Sequence, residues 1–179
     1  MSPIRFRSIL AQGLAAVALL VSLTGCSADG TQIGEHDISA LAARDTETTK
    51  ADAEAMVRNP ELRAQGHAIL GKVSEASGDL AQARQSYERS LDVDPRQPTV
   101  LHDLAVLKHA EGEVDEAIRM LRDALAIDPS LHGSRLLLAD ILSEAGRARE
   151  ASREYQALID AAPQGIDLDM VRTRMEVGR

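Results

Sequence analysis

The chain has 179 residues, 44% hydrophobic and 27% charged, which suits one domain of ordinary size with enough apolar material for a core. It carries 28 acidic against 20 basic residues, a net charge of −8, and only 2% aromatics. That balance repels nucleic acid and anionic lipid headgroups and offers no basic patch interleaved with aromatics, so nucleic-acid binding is excluded. The single cysteine excludes an intramolecular disulfide.

Residues 1–25 are read as a targeting segment and set apart from the fold. Arg5 and Arg7 form a positive start, and Leu14 to Leu23 form a short apolar run. Even from Ile9 to Leu23 the run is 15 residues, broken by Gln12, whereas a spanning helix wants roughly 20. The run ends in Leu23-Thr24-Gly25-Cys26. This resembles the lipobox of bacterial lipoproteins. The resemblance implies lipidation of Cys26 and anchoring to a membrane through its N-terminal lipid. Acyl chains contribute about 0.8 kcal/mol per buried CH₂, and more than one chain makes the anchor stable. Ser27 stands where an Asp would mark inner-membrane retention, so the resemblance favours the periplasmic face of the outer membrane. Without residues 1–25 the chain holds 18 basic and 28 acidic residues, a net charge of −10.

Residues 26–48 hold the lipidated Cys and a polar stretch expected to be a flexible tether. As coil, roughly 20 residues reach about 25 Å. Residues 49–63 contain Lys-Ala-Asp-Ala-Glu-Ala-Met-Val-Arg, a short helical pattern stopped by Asn59-Pro60. It is expected to be an N-terminal cap or a worn half-repeat.

From residue 64 a pattern of 34 residues recurs three times, over 64–97, 98–131 and 132–165. Gly78, Gly112 and Gly146 keep the interval of 34, as do Ala83, Ala117 and Ala151, and Pro95, Pro129 and Pro163. Markers of several kinds in phase over three copies are a strong repeat signal. In the middle copy Val114, Ala117, Ile118, Leu121, Ala124 and Leu125 lie on one face of a helix of period 3.6. Leu101, Leu104 and Ala105 mark an earlier helix opened by Pro98. Gly112 turns the chain between the two, and Pro129 stops the second.

These residues resemble the tetratricopeptide repeat. Leu70-Gly71, Gly78, Ala83, Tyr87 and Pro95 match its pattern in the first copy. Leu104-Ala105, Gly112, Ala117, Leu121 and Pro129 match in the second, and Leu138-Ala139, Gly146, Ala151, Tyr155 and Pro163 in the third. The chain departs from the pattern in lacking any Trp, in Leu121 replacing the aromatic, and in Leu158 at a position usually small. The resemblance implies an all-α fold, a solenoid of three helix-turn-helix repeats. Ala83, Ala117 and Ala151 would sit at the closest helix approach, facing Gly71, Ala105 and Ala139. Tyr87, Leu121 and Tyr155 would fill the wedge between neighbouring repeats. Residues 166–179, with Leu168, Val171 and Met175 at i, i+3 and i+7, are expected to form a C-terminal capping helix.

The resemblance also implies a concave groove lined by the first helices, holding a peptide or helix of a protein partner. By family phase it consists of Lys72 and Glu75, then His102, Val106 and His109, then Leu136, Asp140 and Ser143, with its apolar centre at Val106 and Leu136. No phosphate loop, metal-protease motif or nucleophile elbow is present. His102 and His109 share a helix face without further ligands at metal spacing. No catalytic group, cofactor or metal is therefore expected, and the chain is not read as an enzyme. The combination of lipid and repeats resembles the lipoprotein of the tight-adherence (Flp) pilus system and the pilotins that bring a secretin to the outer membrane. The partner expected on that basis is a pilus or secretin component. The alternatives are an adaptor for a cell-envelope enzyme (a peptidoglycan synthase, hydrolase or protease) and, more remotely, a periplasmic hydrolase.

Overall fold

The computed structural model describes residues 35–177, and side chains from residue 46 to residue 176. The expected signal segment, Cys26 and the first part of the tether lie outside the described residues. Among the described residues every regular element is a helix, and none is long and apolar enough to cross a membrane. The elements are α1 (Glu35–Arg58), α2 (Arg63–Ala76), α3 (Leu80–Val93), α4 (Pro98–Ala110), α5 (Val114–Ile127), α6 (His132–Glu144), α7 (Ala148–Ala161) and α8 (Leu168–Val177).

The first finding corrects the sequence reading. Residues 35–48, taken as flexible coil, are helical and belong to α1. The segment is poor in large apolar residues, which suggested a tether. Yet Ala40-Leu41-Ala42-Ala43-Arg44 are strong helix formers, and Glu35 to Arg58 contains neither Gly nor Pro. Two compact units divide within this helix, one ending at Asp45 and the other starting at Thr46.

In the second unit α2 pairs with α3, α4 with α5 and α6 with α7. Each hairpin then packs on the next chiefly through sequence neighbours, α3 with α4 and α5 with α6. The turn inside each hairpin is the same. Gly78, Gly112 and Gly146 have φ of 80°, 83° and 72°, a left-handed conformation that costs Gly nothing. The residue after each Gly donates its N–H back to a carbonyl near the end of the first helix: Asp79 to Ser74, Glu113 to Lys108 and Arg147 to Leu142. Asp79 also caps α3 by accepting from the Gln82 N–H at 3.0 Å.

The core is built from small and branched side chains. Ala83, Ala117 and Ala151 are buried, as are Leu104, Ala105, Ile118, Leu121, Leu138, Ala139 and Leu142. Tyr87 fills its place in a way the sequence did not indicate. Its ring lies over Gly71 of its own hairpin, so close that a Cβ there would fall 2.3 Å from the ring. The ring thus makes a close contact inside its own repeat. The other tight approach is at Gly66, where a Cβ would meet the Ala53 carbonyl and Val57 N at 2.8 Å. Through it the last turns of α1 rest against α2, and Ala53 is buried.

At the far end α8 closes the stack. Val171 is fully buried, and Ile166, Met170 and Met175 pack against the core beside it. Leu168, expected on the apolar face, is half-buried and takes no part in that cluster.

Candidate protein-binding face

The first helices of the three hairpins, α2, α4 and α6, bring the expected groove residues into equivalent places. Lys72, Val106 and Asp140 are 34 residues apart, as are Glu75, His109 and Ser143, and His102 and Leu136. Val106 is 37% exposed and is an exposed large apolar side chain on these helices. Leu136 is half-buried and packs on the core.

Most of the polar residues are engaged with one another. Lys72 Nζ lies 2.7 Å from Asp103 on α4 and 3.6 Å from Glu75 on its own helix. His102 Nδ1 shares a hydrogen bond with Ser134 Oγ of α6 at 3.0 Å, and His109 Nε2 lies 3.1 Å from the Glu144 carboxylate of α6. Asp140 accepts from the Tyr155 hydroxyl at 2.6 Å and pairs with Arg174 of α8. Glu75 accepts from the Tyr87 hydroxyl at 2.7 Å. The face is therefore laced from one first helix to the next, and finally to the cap. His102 and His109 each reach a different partner on α6 and do not converge. Among the described residues no three His, Cys, Asp or Glu side chains are placed to hold a metal ion.

The partial burial of these groups shifts their protonation. Desolvation holds His102 below the usual histidine pKa, with Asp103 opposing and Lys72 adding to the effect. Burial, then the hydrogen bond to Glu75, pushes the Tyr87 phenol well above its usual range; burial and Asp140 do the same to Tyr155.

Four residues of this lacing were not found by sequence reasoning: Asp103, Ser134, Glu144 and Arg174. Asp103 lies 31 residues from its partner Lys72, and Glu144 lies 35 from His109. Neither distance is the repeat period, so periodicity could not point to them. The available signal was polarity in the apolar phase: Ser134 is 3% exposed on a helix flank where a hydroxyl needs a partner.

Chemically, this face offers an apolar patch around Val106 framed by charges that already have partners. Such a surface can hold a polypeptide by shape and apolar contact, with polar groups fixing register.

A family model described as tetratricopeptide repeat matches residues 75–130 and 108–175. The chain belongs to the tetratricopeptide repeat family. It is similar to the TPR repeat-containing thioredoxin TTL4 of Arabidopsis thaliana, 27% identical over 165 residues, which is 92% of this chain but 23% of that protein. Among solved structures it is similar to a tetratricopeptide repeat protein from Parabacteroides merdae. There the TM-score is 0.67 at 18% identity, covering 81% of this chain and 58% of that one. The TPR2B domain of yeast Sti1, solved as a complex with pHsp70, gives a TM-score of 0.57 at 16% identity, covering 65% and 98%. The likeness to these structures concerns the fold. In tetratricopeptide terms, α2–α3, α4–α5 and α6–α7 are the three repeats and α8 is the cap.

Proposed function

We propose that this tetratricopeptide-repeat chain is a lipid-anchored scaffold that holds a protein partner against the face lined by α2, α4 and α6. The observation that carries the reading is the cross-helix lacing. It joins the three first helices side by side while leaving Val106 open at its middle, and groups already held in place lose less freedom on binding. The yeast Sti1 domain, a relative in fold, forms a complex with pHsp70, which makes a polypeptide the natural class of occupant here. The anchor is Cys26 after cleavage of residues 1–25, and the location is the periplasmic face of the outer membrane. The occupant is a pilus or secretin component.

The test has three arms. Cys26→Ser moves the protein from membrane pellets to the soluble fraction; retention in the pellet sinks the lipid anchor. Val106→Glu with Leu136→Glu abolishes crosslinking to the partner in intact cells at unchanged helicity; undiminished crosslinking sinks the face. Deletion removes secretin multimers or pili and leaves the cell wall normal. A cell-wall defect with normal pili would turn the assignment to an adaptor for an envelope enzyme.

A further inference from the structure

Between the first two repeats, on the side of the second helices, the seam opens into a cavity of about 390 Å³. That lies within the range of roughly 300–1,000 Å³ found for ligand sites. Its floor is apolar, made by Leu91 of α3, Leu101 and Leu104 of α4, and Met120 and Ile127 of α5. Its rim carries three carboxylates, Glu88, Asp92 and Asp123, and one cation, Arg119. Arg119 is already neutralised twice, by Glu116 at 2.5 Å and by Asp123 at 3.0 Å. Glu88 has Arg84 at 3.3 Å. Asp92 is exposed and has no ion pair among the described residues.

The next seam along the stack has a different build. The residues 34 places after Leu101 and Met120 are Arg135 and Glu154, and these two pair at 2.9 Å between α6 and α7. At that seam the third hairpin carries an ion pair between its own two helices. The first seam places two apolar side chains at the same positions, beneath an acidic rim.

We propose that the first seam is a second docking site, for an amphipathic helix of a partner that lays an apolar side chain on Leu101 and Met120 and sets Lys or Arg beside Asp92, Glu88 and Asp123. The acidic rim disfavours acidic peptides, nucleic acid and anionic lipid, and the apolar floor gives a wholly polar ligand nothing to hold. A helix in a groove supplies both chemistries from one face. The site is separate from the face lined by α2, α4 and α6, and either can fail without the other.

The experiment uses the full chain and two synthetic amphipathic helices sharing a Leu and Phe stripe, one flanked by Arg and the other by Glu. Binding is followed by fluorescence anisotropy, and its place by the methionine methyl resonances. The Arg peptide binds, the Glu peptide does not, and affinity falls as salt rises. The Met120 methyl shifts, and Val106→Glu with Leu136→Glu leaves the affinity unchanged. Leu101→Arg with Met120→Glu copies the ion pair of the second seam and lowers affinity about tenfold or more; Asp92→Lys, on the surface and harmless to the fold, also weakens binding by about tenfold. Three results would overturn the proposal. One is no binding of the Arg peptide at about 1 mM. Another is equal binding of both peptides, or binding indifferent to the seam variants. The third is sedimentation showing that the chain self-associates and that Leu101→Arg with Met120→Glu dissolves the dimer, which gives the seam to a second copy.

Discussion

Tyr155 donates its phenolic hydrogen to Asp140 across 2.6 Å, and Asp140 in turn holds Arg174 of the capping helix. The same tyrosine position in the first repeat is Tyr87, which donates to Glu75 at 2.7 Å. In the middle repeat the position is Leu121, and the residues matching Asp140 and Glu75 are Val106 and His109. Hydroxyl and carboxylate disappear together there. The apolar opening at Val106 is thus the counterpart of a lost hydrogen bond.

Tyr155→Phe removes a bond to a charged acceptor and leaves Asp140 partly buried beside Arg174. It is expected to destabilise the fold by about 1–2 kcal/mol. A double-mutant cycle with Asp140→Ala, read by urea unfolding, should give a coupling energy of similar size. Additive effects would mean that the hydroxyl is held by something other than Asp140.

Gly71→Ala sets a Cβ into the Tyr87 ring, and overpacking of this kind costs about 1–3 kcal/mol. Tyr87→Leu in the same chain should restore much of that loss, because Ala105 with Leu121 is the pairing the middle repeat already uses. Thermal melting of the two single variants and the double variant decides the matter. A double variant no better than Gly71→Ala would place the strain elsewhere.

Ala162, at the end of α7, has φ of 42°, a left-handed conformation that an L side chain adopts at a cost. Ala162→Gly relieves it and is expected to stabilise by about 0.5–1 kcal/mol. A lower melting temperature in the Gly variant would be inconsistent with strain at this cap.

Stability should fall as pH is lowered from 7.5 to 5.5. His102 has a folded pKa below the unfolded value of 6.5 because burial disfavours its charged form. Its contribution is fully present above 6.5 and is lost as pH falls toward the folded pKa. His67 is shifted the same way, by burial and then by Arg89 and Arg63, and adds to the slope. His102→Asn should flatten the melting temperature against pH over that interval. An unchanged slope would assign the effect to other groups.

The repeat register was legible because its causes are local. A left-handed turn calls for Gly at 78, 112 and 146, close helix approach calls for Ala at 83, 117 and 151, and Pro stops each second helix. The expected groove residues follow from that phase, which sets them on α2, α4 and α6. What could not be read is whatever depends on how one hairpin sits on the next. Asp103, Ser134 and Glu144 meet their partners across helices at separations of 31, 32 and 35 residues, which the period of 34 does not encode, and Arg174, although 34 residues from Asp140, lies beyond the last repeat. The helical start of α1 was missed for another reason. Scarcity of large apolar residues removes the sign of burial without removing helix propensity, and Ala40 to Arg44 kept the latter.

The buried positions of α2 are Gly66, Gly71 and Ser74, whereas those of α4 include Val100, Leu101, Leu104 and Leu107. Grease is therefore unevenly shared along the stack, and a column whose blocks grip only adjacent blocks loosens first where the grip is thinnest. Amide protons of α2 should swap for deuterium well ahead of those in α4 and α5. Warming would then peel the molecule from its amino-terminal hairpin inward, and the centre would be the last part to let go.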